Sequence, residues 1–144
     1  MKLMNERAEI FIPDGTSVGE ALRRTTHMAV AAHQDDIEIM AYDGIARCFG
    51  RTAKWFTGVV VTNGSGSPRS GLYADYSDQE MMRIRREEQK KAAYVGGYSA
   101  VILLSYPSGD VKDPVNTSVK DELKKILGAA APQYLYTHNP ADKH

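Results

Sequence analysis

The chain has a single cysteine, Cys48, so neither an internal disulfide framework nor a thiolate zinc finger can be built from it. Long hydrophobic runs are also missing. Residues 1–15 hold no stretch suited to a signal peptide, and no segment approaches the roughly 20 apolar residues of a membrane span. The expectation is a cytoplasmic chain with no membrane partner. No charge of either sign is in excess: Lys+Arg and Asp+Glu are both 18, for a formal net charge of +0. A protein built to hold nucleic acid phosphates would be basic, so no nucleic acid partner is expected. Residues 33–37 contain no glycine where a dinucleotide-binding turn would need several. With 42% hydrophobic and 25% charged residues, the 144-residue chain has an ordinary globular composition. It reads as one domain over residues 1–144.

Short β-like runs alternate with longer helical ones. Strands are expected near residues 7–13, then at 28–32 (MAVAA), 55–62 (WFTGVVVT), 100–104 (AVILL) and 134–137 (YLYT). Helices are expected at 16–24, 36–49, 77–96 and 116–129, with Thr16 or Ser17 capping the first and Ser77 the third. Strands separated by helices imply an α/β three-layer sandwich around a mainly parallel sheet. Residues 63–75 form a Gly/Ser/Pro-rich loop longer than most compact domains carry, as functional loops often are.

In an open parallel sheet, ligands bind at the carboxyl ends of the strands. The residues expected there are His33, Gln34, Asp35 and Asp36; Asn63, Gly64 and Ser65; Ser105, Ser108 and Asp110; and His138, Asp142 and His144. A histidine and an aspartate three residues later, across a strand-to-helix turn, can converge on one divalent cation. The acid between them then projects elsewhere and stays free to take a proton from water, the arrangement a metal hydrolase needs. Nitrogen and oxygen donors without thiolate suit zinc and leave other first-row metals open. The plainer alternative makes an aspartate the N-cap of the helix and His33 a satisfied strand-end residue. On the third helix, Met81, Ile84, Arg85, Glu88, Ala92 and Val95 share a face at 100° per residue, with an Arg–Glu pair in its middle. That pair either props up a polar site or sends Arg85 into a cleft.

The run from Ala32 to Ile39, AHQDDIEI, resembles the A-H-P-D-D-x-E-[I/L] signature of the LmbE-like/PIG-L family of metal-dependent N-deacetylases, with its following glycine matched by Gly44. Thr62, Asn63 and Gly64 match a strand ending in T-[D/N]-G. Arg85, Glu88 and Ala92 match an R-x-x-E-x-x-x-A helix, and Asp110 matches an aspartate after the next strand. The final THNPADKH matches a T-H-x-P-x-D-x-H element.

The resemblance implies a Rossmann-like fold and zinc-dependent removal of an acetyl group from an N-acetylated amino sugar or glycoconjugate. By position, His33 and Asp36 are expected to bind metal and Asp35 to act as general base. His144 is expected to steady the oxyanion or protonate the leaving amine, and the third metal histidine falls beyond it. Arg85, Asn63 and Asp110 are expected to contact substrate. The family's length implies that these residues form its N-terminal portion, incomplete at the C-terminal end. Gln34 stands where the signature has proline and is expected to loosen the loop. A sheet edge and apolar surface near residues 129–132 make a homo-oligomer a further expectation. The alternative function is a non-catalytic binding module on the same fold.

Overall fold

A computed structural model describes residues 1–141, so the expected catalytic His144, with Asp142, lies outside the described residues. Five strands, β1 (Glu9–Phe11), β2 (His27–Ala31), β3 (Phe56–Thr62), β4 (Ala100–Tyr106) and β5 (Tyr134–Thr137), form one sheet in the order β1-β4-β3-β2-β5. Four of them run parallel, and β1 lies antiparallel to β4 at one edge. Strands β3 and β4 are buried along their whole length, as expected of continuous apolar runs covered on both faces.

Alternation along the strands sends side chains to two separate cores. Ala29, Ala31, Phe56, Val60, Val101 and Leu103 face helices α2 (Asp36–Met40), α3 (Tyr42–Cys48) and α4 (Asp78–Val95), through Ile37, Ile45 and Ala93. Met28, Val59, Val61, Ile102 and Leu104 face α1 (Val18–Arg23) and α6 (Ser118–Ala130), through Leu22 and Ile126. The result is the expected α/β sandwich, with helices on both faces of a mainly parallel sheet.

Three details differ from the sequence reading. The helix expected over 36–49 breaks at Ala41, whose φ of −114° separates α2 from α3. The break lets α3 lie against β5, where a Cβ on Gly44 would stand 2.6 Å from the Tyr136 ring. Strand β4 runs on to Tyr106 through an irregularity in its pairing with β3, with Ser105 at φ 59°. A short helix, α5 (Ser108–Lys112), follows it. Ser77 does cap α4, in a reciprocal capping box with Glu80. No helix among the described residues is long and apolar enough to cross a membrane.

His27 opens β2 from inside the protein. It is 2% exposed, its ring stacks on Tyr134 at 4.6 Å, and Nδ1 is hydrogen-bonded to Thr26 Oγ1 at 2.9 Å. Burial, with the nearby charges of Lys54 and Arg47, holds its pKa below the ordinary 6.5. The fold therefore prefers neutral His27, while the unfolded chain takes up the proton first as pH falls. The contribution of His27 to stability is complete above pH 6.5 and is lost progressively below it. Chemical denaturation across that range should show this slope, and His27→Phe, which keeps the stack, should flatten it. An unchanged slope would assign the titration elsewhere.

Candidate metal centre and its cavity

Residues 33–36 cross from the end of β2 to the start of α2, and their backbone is unusual at one point. Asp35 has φ 80°, a left-handed conformation that costs a non-glycine residue about 1–2 kcal/mol. Its side chain makes no capping hydrogen bond to α2, which removes the plain N-cap reading for this aspartate. Asp36 turns the other way. Its Oδ2 accepts the His33 backbone N–H at 2.7 Å and lies 3.5 Å from His33 Nδ1. The two neighbouring carboxylates therefore diverge: the Asp36 side chain is 12% exposed and that of Asp35 is 62% exposed.

Helix α4 holds this turn. Arg85 Nη2 donates to the Gln34 carbonyl at 2.6 Å and to Asp35 Oδ2 at 2.7 Å, while Nη1 donates to Glu88 Oε2 at 2.5 Å. One turn further on, Gln89 Oε1 accepts the Asp35 N–H at 3.1 Å. A hydrogen bond to a charged group contributes roughly 1.5–3 kcal/mol. These bonds are therefore large enough to offset the backbone cost at Asp35. Burial works against the Arg85 charge, but the hydrogen bonds and charges of Asp35 and Glu88 outweigh it and raise its pKa. Arg85 is thus an anchor of the loop as well as a wall of the cavity beside it. The face that α4 turns inward carries Met81, Gln89 and Ala93, whereas Val95 of the expected face is 66% exposed.

Gln34 tightens the loop rather than loosening it. It is 4% exposed, and its Nε2 donates to the Thr62 carbonyl at 3.0 Å, stitching the end of β2 to the end of β3. Its Oε1 presses against Gly64, where a Cβ would stand 2.8 Å away.

A cavity of ≈420 Å³ opens over this loop, within the range of small-molecule sites. His33, Asp35, Asp36 and Arg85 line it together with Ser67 and Pro68 of the 63–75 loop and Ser108 and Lys112 of α5. Two residues expected to contact substrate lie elsewhere. Asn63 lines a neighbouring hollow with Arg86 and Ser105, and its Oδ1 accepts the Ser65 N–H at 3.0 Å. Asp110 lines a third hollow, with Tyr106 and Ser118. Arg69, at the tip of the long loop, bonds back to the carbonyls of Ser65 and Tyr76 and to Asp78, so it closes the loop on itself. Sequence reasoning missed Lys112, Gln89 and Glu38. The first sits on an unexpected helix, Gln89 is a buried polar residue with no motif to mark it, and Glu38, although it is the glutamate of the AHQDDIEI run, gives no sign in the sequence of its partners Gln89 and Tyr98.

The donor set bears on a metal directly. Two donors about 2.0 Å from a tetrahedral ion stand roughly 3.3 Å apart, and His33 Nδ1 and Asp36 Oδ2 are 3.5 Å apart. An imidazole and a carboxylate at that spacing fit zinc. His138, at the end of β5, reaches the same carboxylate: its Nε2 lies 3.3 Å from Asp36 Oδ2 and accepts the Ala32 N–H at 3.0 Å. Among the described residues no three His, Cys, Asp or Glu side chains are grouped so as to hold an ion by themselves.

The family described as PIG-L, GlcNAc-PI de-N-acetylase, matches residues 28–144, and the chain belongs to it. No curated protein matches. Among solved structures, the chain is similar to GalB, the 4-carboxy-2-hydroxymuconate hydratase from Pseudomonas putida KT2440, at 17% identity and a TM-score of 0.47. The match covers 81% of this chain and 62% of that one, so the chain spans less than two thirds of that protein's length.

Gly64, at φ 77°, is where the cavity floor tolerates least change, since an added Cβ would meet Gln34 Oε1 at 2.8 Å and Arg85 Cβ at 3.0 Å. Gly64→Ala should cost at least the ~1–2 kcal/mol of a left-handed alanine, read as a lower denaturation midpoint. Wild-type stability would mean that the floor is slack.

Proposed function

We propose that this member of the PIG-L family is a zinc-dependent N-deacetylase that removes the acetyl group from an N-acetylated amino sugar or glycoconjugate. The observation that carries the reading is the divergence of the two aspartates. Asp36 turns inward to meet His33 Nδ1 at 3.5 Å, and Asp35 turns out to the cavity. His33 and Asp36 would hold the ion. When bound, zinc supplies Lewis acidity, polarising an amide carbonyl and lowering the pKa of water to about 7.

Asp35 is the general base. Arg85 fixes its Oδ2 at 2.7 Å, which leaves Oδ1 to accept the proton of the attacking water. His144 then donates to the departing amine, so that amide and water become a free amino sugar and acetate. Ser67, Ser108 and Lys112 line the cavity with groups able to hydrogen-bond sugar hydroxyls.

The reading is tested by zinc content and by acetate release from an N-acetylglucosamine conjugate. Asp35→Asn should keep zinc and lose about 10²–10⁴-fold in turnover, the usual contribution of a general base. His33→Ala and Asp36→Ala should each lose zinc. Turnover surviving in Asp35→Asn would overturn the base assignment. A wild-type chain that neither holds zinc nor releases acetate would favour the non-catalytic module.

A further inference from the structure

The hydrogen bonds from α4 fall on the two ends of a single peptide unit. Arg85 Nη2 donates to its oxygen, the Gln34 carbonyl, at 2.6 Å, and Gln89 Oε1 accepts from its nitrogen, the Asp35 N–H, at 3.1 Å. Arg85 and Gln89 are four residues apart and so stand one above the other on the helix. Gripping both ends of a peptide fixes the orientation of its plane, and that plane sets the φ of the residue that follows.

Gln89 is itself held from behind. It is 1% exposed, and its Nε2 donates to Glu38 Oε1 at 2.9 Å. The same Glu38 oxygen accepts the Tyr98 hydroxyl at 2.8 Å. Tyr98 is 2% exposed, wedged edge-on against Phe56 with ring centroids 4.8 Å apart. Burial, followed by the Glu38 charge, drives the Tyr98 pKa far upward, so the phenol stays a donor at every working pH. A side-chain amide carries both the acceptor that Asp35 needs and the donor that Glu38 needs.

We infer that Gln89 is a positioning residue. Backed by Glu38 and Tyr98 and opposed by Arg85, it holds the peptide between Gln34 and Asp35 in the plane that makes Asp35 left-handed and parts the two carboxylates. Gln89 is buried and is not among the residues that line the cavity. It acts only through the backbone of residue 35. Its effect should therefore depend on which residue is there, since glycine takes positive φ about as readily as negative.

The test is a double-mutant cycle in the full chain between Gln89→Met and Asp35→Gly, with two readouts. The first is Co(II) affinity, from the visible absorption of the bound ion, and it rests on the metal reading above. Outer-shell partners of this kind change metal affinity about 10–100-fold. Gln89→Met should weaken Co(II) binding by that order with Asp35 present and several-fold less with Gly at residue 35. The second readout is the denaturation midpoint of the metal-free chain, where the loss caused by Gln89→Met should again shrink in the Asp35→Gly background. Equal losses in both backgrounds would show that Gln89 merely packs α4, and would overturn the inference. A wild-type chain that fails to bind Co(II) would defeat the metal reading, while the metal-free cycle would still decide the role of Gln89.

Discussion

Adjacent aspartates can do different work only if the backbone turns one carboxylate away from the other, and at residues 35 and 36 a single positive φ of 80° achieves this. Without that turn both acids would open α2 as ordinary first-turn residues, and neither would be distinguished chemically. With it, one is drawn to 12% exposure beside His33 and the other stands 62% exposed in the cavity. The conformation is unfavourable by itself, so it persists only because its surroundings over-determine it. Arg85 from α4 and Gln34 from the loop itself supply much of that constraint.

The sheet supplies the frame on which this local arrangement stands. Strands β2, β3, β4 and β5 run in one direction, so the segments that follow them emerge at one rim. Close approach is needed there, and small residues provide it. Gly58 lets Ile37 descend onto the sheet, since a Cβ at that position would lie 2.7 Å from Ile37 Cδ1. Gly64 gives Gln34 and Arg85 their room in the same way. The site is thus framed by backbone clearance as much as by charged side chains, which accords with the general tendency of functional loops to be positioned by a rigid scaffold.

Much of the fold was legible because its determinants are local. The apolar runs at residues 55–62 and 100–104 can be little else than strands covered on both faces, and Ser77 with Glu80 marks the start of α4 by chemistry confined to four positions. The pairing of His33 with Asp36 was legible for the same reason, the three-residue spacing being enough to bring them to 3.5 Å. What escaped depended on distant partners. The break at Ala41 sets Gly44 against Tyr136, almost a hundred residues away. Gln34 was read as a loosening replacement because nothing near it in sequence announces the Thr62 carbonyl. Asn63 and Asp110 follow the right strands, yet they turn into neighbouring hollows: strand order fixes the rim that a residue reaches, not the side on which it falls.

In the proposed function, His33 and Asp36 grip one divalent ion with nitrogen and oxygen donors alone. Zinc K-edge X-ray absorption on the zinc-loaded chain tests it most directly. With those ligands the nearest scatterers are nitrogen and oxygen at about 2.0–2.1 Å, followed by the outer scattering of imidazole, and His33→Ala loses that imidazole signal. A sulfur shell at about 2.3 Å, which would implicate the buried Cys48, or imidazole scattering unchanged by His33→Ala, would contradict it.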